Sequence, residues 1–115
     1  MVKSIININD NQFLVDVAVK PIEYLQGLLG KEELDSENGM LFVFKEPRIV
    51  SMSTRGMKFP IDILFIRENG TTFHVEHNVY PGIKTTSQGK AKYVIELKGE
   101  TCKSNHINVG DCVEL

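Results

Sequence analysis

The sequence predicts a mainly β protein: a compact, barrel-like single domain of antiparallel strands with one short α-helix at about residues 21–30. Apolar and polar residues alternate in several short segments, and turn-forming residues recur between those segments. The chain lacks the long helices that connect the strands of a parallel sheet. At 115 residues it has the length of one domain, residues 1–115, with one hydrophobic core.

The first part of the chain predicts a β-hairpin and then the helix. Residues 2–8 and 13–19 alternate between apolar and polar side chains, and residues 9–11 (Asn-Asp-Asn) tolerate the positive φ angles of a tight turn. Pro21 suits the first turn of a helix, because the N–H it lacks would have no helical partner there. Isoleucine and leucine then recur at helical spacing as far as Gly30, which favours a left-handed residue at the helix end.

An acidic loop and a strongly apolar strand follow. Residues 32–37 are rich in carboxylates, which is typical of a solvated surface and, alternatively, of a surface that binds a partner protein. After the turn residues Asn38 and Gly39, residues 40–44 are continuously apolar, the pattern of a strand covered on both faces. This strand is expected at the centre of the core, and Pro47 is expected to end it.

The clearest strand pair is a hairpin formed by residues 61–67 and 71–78. Asn69-Gly70 predicts a two-residue type I′ turn, which sets the register of both strands. In that register Asp62 faces His77 at the end of an otherwise apolar face of the ribbon. The opposite face of the ribbon is predicted to be mixed and partly exposed.

The last part of the chain predicts further short elements. Residues 90–97 alternate as another strand, residues 99–105 have room for a turn or a short helix, and residues 107–113 predict a strand, a turn and a final strand. Cys102 and Cys112 show neither the spacing of a redox pair nor the number of a zinc site, so two free thiols are expected in a reducing compartment.

Composition and charge exclude several classes of function. The net charge of −2 predicts no nucleic-acid partner, because phosphate binding depends on surplus lysine and arginine. No basic segment followed by an apolar run marks a secretory signal, and the longest apolar stretch is far shorter than a membrane span. We therefore expect a cytoplasmic protein without a membrane partner.

Asp62 and His77 form the first candidate site. A carboxylate opposite an imidazole can orient a general base or bind a polar substrate. The structural alternative is a hydrogen-bonded pair that closes the rim of the core. His74, Glu76 and His77 do not predict a metal site, because residues at i and i+2 of a strand share a face and His77 points to the other one.

The second candidate site is the cationic turn Arg55, Gly56, Met57 and Lys58, which leads into the strand of Asp62. Arginine offers a planar pair of donors to a carboxylate or phosphate, and glycine lets a ligand approach the backbone. The alternative is a connection whose charges are solvated.

Met40 adds an apolar side to this candidate site. Methionines line adaptable apolar pockets, and they also fill irregular gaps in a core. No phosphate-binding loop, dinucleotide-binding pattern or nucleophilic serine turn is present, since Gly27, Gly30 and Gly39 have the wrong spacing and context. We therefore expect no cofactor and no metal.

Five motifs occur in the order of a known family: Gly-Leu-Leu-Gly at 27–30, Gly-Met-Leu-Phe-Val-Phe at 39–44, Gly-Met-Lys-Phe-Pro-Ile-Asp-Ile-Leu-Phe at 56–65, Ala-Lys-Tyr-Val-Ile-Glu-Leu at 91–97 and Ile-Asn-Val-Gly-Asp at 107–111. In these the chain resembles the small bacterial and archaeal proteins of domain-of-unknown-function family 192. The resemblance implies a compact, mainly β, barrel-like domain without an established activity. Many members resemble Phe-Trp-Met-Lys where this chain has Met52-Ser53-Thr54-Arg55, so the cation is kept and the large aromatic surface is lost.

Three hypotheses on function follow from these features. The first is a non-enzymatic module that binds a small ligand or a peptide terminus between residues 55–62, His77 and the strand that begins at Met40. The second is a hydrolase in which Asp62 and His77 act as an acid and base pair. The third is a protein-interaction domain that uses the acidic loop at residues 32–37.

Overall fold

A computed structural model describes residues 1–115 and contains nine strands and two short helices. The strands are β1 (Val2–Ile8), β2 (Asn11–Ala18), β3 (Asn38–Arg48), β4 (Ser51–Ser53), β5 (Ile61–Ile66), β6 (Thr72–Val79), β7 (Lys84–Thr86), β8 (Ala91–Lys98) and β9 (Val113–Glu114). The helices are α1 (Pro21–Gln26) and α2 (Thr101–Ser104). No helix is long and apolar enough to cross a membrane.

Seven of the strands form one curled sheet in the order β6-β5-β8-β3-β2-β1-β9, and β4 pairs with β7 in a separate two-stranded sheet. All pairings are antiparallel except that of β2 with β3, which α1 and the following loop connect. A bridge between Thr71 and Cys112 brings the two ends of the large sheet together, and the Val113 N–H donates to the Gly70 carbonyl at 2.8 Å. The result is a half-barrel, which confirms the predicted mainly β class.

The curled sheet buries apolar side chains on both faces, so the chain has two hydrophobic cores where one was expected. The inner core lies inside the curl, because strands from both ends of the sheet contribute to it. The outer core lies on the opposite face, beneath the turn after α1, the loop that follows and β4. The inner core contains Ile6, Ile8, Phe13, Val15, Leu41, Leu64, Ile66, Ile95, Leu97, Cys102, Ile107 and Val113. The outer core contains Ala18, Leu28, Leu34, Met40, Phe42, Phe44, Val50, Met57, Ile61, Ile63, Phe65, Val79, Ala91 and Val94.

The first hairpin is confirmed, and the helix is shorter than expected. Asn9 and Asp10 have φ angles of 50° and 66°, as a tight two-residue turn between β1 and β2 requires. The helix ends at Gln26 because Gly27, with φ 47°, already leaves the helical region. No residue of α1 is fully buried, so the helix contacts the outer core through the half-buried Tyr24, and the turn that follows reaches this core as well.

The second hairpin has the predicted register only in its middle. Leu64 lies opposite Val75 as predicted, but the pairing shifts near both ends of the hairpin. Only Gly70 in the turn has a positive φ, so the turn is a three-residue loop rather than a type I′ turn. The extra loop residue displaces the first pair, so Ile66 lies opposite Thr72 instead of Phe73.

The face of β5 that was predicted to be mixed and partly exposed is fully buried. Ile61, Ile63 and Phe65 have no exposed surface and belong to the outer core. The prediction was wrong because alternation within one hairpin does not reveal that β4 and the segments around it cover this face from outside.

Two expectations near strand ends also change. Pro47 does not end β3, which continues to Arg48 after an irregularity in its pairing with β8. Residues 107–111 form a turn rather than a strand, because the Asp111 carboxylate accepts the Asn108 N–H at 2.8 Å. The final strand is therefore β9 alone.

Candidate functional site

A pocket of about 470 Å³ opens on the outer face of the sheet, between the sheet and the segments that cover it. We call it the outer pocket. One wall is α1 with the turn after it, and the other wall is the end of β3 with β4. Its mostly apolar lining consists of residues 24–29 and 48–53 together with Phe42, Phe44, Arg55, Met57 and Glu96.

Glu96 lines this pocket from the middle of β8. Its two neighbours across the sheet are Met40 on β3 and Ile63 on β5, both without exposed surface. The Glu96 side chain is 3% exposed, and it takes part in none of the hydrogen bonds or ion pairs of the protein. The carboxyl group therefore lies among apolar side chains, and its oxygens remain accessible from the pocket.

Burial raises the pKa of Glu96 to about 8. A carboxylate is poorly solvated in such a place, so the neutral acid is favoured. At neutral pH the Glu96 carboxyl therefore carries its proton, and it offers one O–H donor and an unused carbonyl oxygen to whatever enters the pocket.

Two arginines lie at the mouth of the outer pocket. Arg48, at the end of β3, places its guanidinium 5.7 Å from the centre of the Phe44 ring. Arg55 lies on the segment after β4 and is exposed. Neither guanidinium forms an ion pair, since the three ion pairs of the protein involve other residues. The mouth is thus cationic, whereas the interior is apolar and holds one neutral acid.

The predicted cationic turn only partly faces this pocket. Arg55 and Met57 line it, and Gly56 lies between them with φ 82°. Lys58 does not line the pocket and forms an exposed ion pair with Glu32. Met40 lies in the core beneath the pocket and does not reach the lining.

Asp62 lies on the other face of the sheet, where its carboxylate is fully buried. It accepts three backbone N–H groups, from Asn78 at 2.8 Å, Glu100 at 3.2 Å and Cys102 at 2.8 Å. A bulge in β6 opposite Asp62, with Asn78 at φ 48°, makes the first of these bonds accessible. The carboxylate thus ties β5 to β6 and to the start of α2.

His77 is exposed and forms no hydrogen bond with Asp62. It lines a separate cleft beside α2, together with Cys102 and His106. Burial raises the pKa of the Cys102 thiol, and the neighbouring Asp62 carboxylate raises it further, so this thiol is not an activated nucleophile. Cys112 is exposed, and both cysteines are free thiols.

The other polar clusters are local. His74 and Glu76 converge as the strand geometry predicted, with Nε2 and Oε1 2.8 Å apart, and Thr85 donates to the same Oε1 at 3.2 Å. No group of three His, Cys, Asp or Glu side chains could hold a metal ion. In the acidic loop, Glu33 and Asp35 line a small polar cleft that also contains Lys3.

Among the acidic and basic side chains of the outer pocket, Glu96 and Arg48 are the two that the sequence reasoning missed. In an alternating strand Glu96 occupies a position that normally faces solvent, so the alternation predicts an exposed side chain. The neighbouring residues could have indicated its burial. Val94, Ile95 and Leu97 make the strand apolar on both faces, and a glutamate is rarely found in such a strand.

Comparison with known proteins agrees with this architecture. Residues 4–115 match the model of family DUF192, described as "Uncharacterized ACR". The chain therefore belongs to this family. A search of the curated proteins finds no match.

Two solved structures share the fold. A "putative transcription regulator" from Sinorhizobium meliloti 1021 has a TM-score of 0.94 and 30% sequence identity, over 98% of this chain and 93% of that chain. A protein of unknown function from Novosphingobium aromaticivorans DSM 12444 has a TM-score of 0.91 and 23% identity, over 98% of this chain and 85% of that chain. At the latter identity the likeness concerns the fold alone.

Proposed function

We propose that the protein is a small-ligand-binding module and that the ligand occupies the outer pocket. The observation that supports this proposal is Glu96, a carboxyl group with 3% exposure, no hydrogen-bond partner and a position in the lining of the pocket. Buried polar groups in folded proteins nearly always have partners, because an unpaired one destabilises the fold. An unpaired acid that faces a pocket is accounted for when a ligand supplies the missing partner.

The shape and lining of the pocket support the same proposal. Its volume of about 470 Å³ is within the usual range of small-molecule sites, which are concave, mostly apolar and equipped with few polar groups. The aromatic wall is preformed, since the rings of Tyr24 and Phe44 pack with their centres 5.1 Å apart. The Tyr24 hydroxyl donates to the Val43 carbonyl at 2.6 Å, which holds α1 in place against β3.

This proposal retains the hypothesis of a ligand-binding module and shifts the binding site to the outer pocket. Arg55 and Met57 remain in the site, whereas Asp62 and His77 lie apart from it on other surfaces. The hydrolase hypothesis receives no support from the geometry, because all three hydrogen bonds of the Asp62 carboxylate go to backbone N–H groups. The acidic-loop hypothesis rests on charge alone.

A regulatory role is suggested only by the description of the relative from Sinorhizobium meliloti. The net charge of −2 does not favour contact with DNA. We therefore place ligand binding before regulation.

Filling the pocket tests the proposal. Met52 lies in the pocket lining on β4, so Met52→Trp should occupy the space. Thr86→Trp is the matched control, because Thr86 lies on the paired strand β7 and outside the lining. The probe is N-phenyl-1-naphthylamine, an uncharged apolar dye whose fluorescence rises in apolar surroundings.

The wild-type protein and Thr86→Trp should bind the dye saturably, and Met52→Trp should bind it about tenfold more weakly or worse, since the added ring excludes it. Circular dichroism checks that both variants are folded. Failure of the wild-type protein to bind the dye, or equal binding by the two variants, would overturn the proposal.

A further inference from the structure

The outer pocket has an ordered distribution of polar groups. Its charged side chains, Arg48 and Arg55, are exposed at the mouth, and its one carboxyl group, Glu96, is buried at the floor. Between them the lining is mostly apolar. A ligand that matches this order has a polar group at each end and an apolar body.

The mouth favours an anionic end group. Neither arginine has a carboxylate partner in the protein, and a guanidinium presents two parallel donors to a carboxylate or phosphate. Phe44 supports one of them, since the Arg48 guanidinium lies over its ring at 5.7 Å. A cationic ligand would meet two like charges on its way in.

The floor favours a neutral hydrogen-bond acceptor. The groups that face Glu96 across the sheet are the apolar Met40 of β3 and Ile63 of β5. The other titratable or charged groups of the lining are Tyr24 and the two arginines, and the Tyr24 hydroxyl is already bonded to backbone carbonyls. Burial keeps the proton on Glu96 at neutral pH, so its free O–H needs an acceptor rather than a cation.

We infer that the ligand is an amphipathic carboxylate whose apolar body ends in a carbonyl group: Arg48 and Arg55 bind the carboxylate at the mouth, and Glu96 donates a hydrogen bond to the carbonyl oxygen at the floor. The inference rests on the proposed function and adds the chemical class of the ligand to it. The fold sets the orientation of the ligand in the pocket. The strand β8 supplies Glu96 at the floor, whereas the end of β3 and the segment after β4 supply the two arginines at the mouth.

A matched set of competitors tests the inference, with displacement of N-phenyl-1-naphthylamine as the measurement. The set consists of 9-oxodecanoate with both end groups, decanoate without the carbonyl, 2-decanone without the carboxylate and decylamine with the opposite charge. The expected order is 9-oxodecanoate first, with decanoate and 2-decanone each about tenfold weaker and decylamine weakest.

Three variants assign each preference to its residues. The double variant Arg48→Gln and Arg55→Gln should lose the preference for 9-oxodecanoate over 2-decanone and keep the affinity for 2-decanone. Glu96→Met should bind 9-oxodecanoate no better than decanoate. Glu96→Gln keeps an N–H donor, so it should retain the preference for the carbonyl.

The pH dependence of ligand preference is a second, independent test of the hydrogen bond from Glu96 to the ligand carbonyl. In the wild-type protein the preference for 9-oxodecanoate over decanoate should fall above about pH 8, where Glu96 loses its proton, and in Glu96→Gln it should stay constant. Decylamine or 2-decanone competing as well as 9-oxodecanoate would overturn the inference. In that case the dye would still bind and Met52→Trp would still weaken it, so the proposed function would stand.

Discussion

Asp62 and Glu96 are two buried carboxyl groups on neighbouring strands, and their surroundings are opposite. In the pairing of β5 with β8, Asp62 lies opposite Leu97 and Glu96 lies opposite Ile63, so the two side chains project from opposite faces of the sheet. Asp62 accepts three backbone N–H groups, whereas Glu96 has no partner. The satisfied carboxylate holds the fold together, and the unsatisfied one is available for binding.

The contrast shows how burial alone misleads. Both residues are nearly inaccessible, and only Asp62 belongs to a recognisable pattern, near the start of a strand and opposite a histidine in the predicted register. The two residues differ in their hydrogen bonds. A buried polar group that supports the fold has partners within the protein, whereas a group that binds a ligand can receive its partner from the ligand. Three measurements test this contrast. They are the loss of stability when the Asp62 carboxylate is removed, the pH dependence of stability that Glu96 causes, and the gain of stability when Glu96 is replaced by an apolar residue.

Removal of the Asp62 carboxylate should give the largest effect. Asp62→Ala leaves three backbone N–H groups, one buried and two partly buried, without their acceptor, so the free energy of unfolding should fall by about 3 kcal/mol. Denaturant titration measures the change, with the exposed Glu46→Ala as the control. Asp62→Asn keeps one acceptor oxygen, so its free energy of unfolding should lie between those of Asp62→Ala and the wild type. A stability of Asp62→Ala close to that of the wild type would show that Asp62 is not the structural member of the pair.

The next effect, ranked by its size for each pH unit, is the pH dependence of stability, which belongs to Glu96. Its pKa is raised from the ordinary 4.5 to about 8, so between these values the folded state holds a proton that the unfolded state releases. Stability from this group is complete below pH 4.5 and is lost as the pH rises towards 8, with a slope of up to about 1.4 kcal/mol per pH unit.

The measurement compares the free energy of unfolding of the wild type and Glu96→Gln across that pH window. The wild type should lose stability relative to the variant as the pH rises. Parallel pH profiles would mean that Glu96 ionises freely in the folded protein, and the contrast with Asp62 would then be wrong.

The smallest effect should have the opposite sign. Glu96→Met replaces an unpaired buried carboxyl by an apolar side chain of similar length, so at neutral pH the free energy of unfolding should rise by about 1 kcal/mol. Thermal unfolding of this variant beside Glu96→Gln separates loss of the acid from loss of polarity. A clear destabilisation by Glu96→Met would indicate that the carboxyl group supports the fold, as Asp62 does.

Much of the fold could be predicted because its signals are local. The turn at Asn9 and Asp10, the alternation in the first hairpin and the apolar run from Met40 each depend on a few adjacent residues. The register of the second hairpin could be predicted only in part. Its turn gives a positive φ to Gly70 alone, and this one difference displaces the pair next to the turn.

The candidate site was predictable only at its edge. Arg55 and Met57 were identified because a cationic, glycine-containing turn is visible in the sequence, and both line the outer pocket. The pairing of Asp62 with His77 was inferred from an ideal hairpin, and the bulge at Asn78 replaces the imidazole by a backbone N–H. Arg48 could not be predicted as part of the site, because a proline commonly ends a strand and Pro47 precedes it, whereas β3 continues to Arg48.

The class of this protein follows from local patterns, because short alternating strands, tight turns and a short helix have periods of two to four residues, which neighbouring positions reveal. That both faces of the sheet are covered, with Glu96 lining the pocket on one of them, depends on tertiary packing. Burial of a side chain depends on segments that are distant in the chain, here α1 and β4, and no local pattern records where they come to lie.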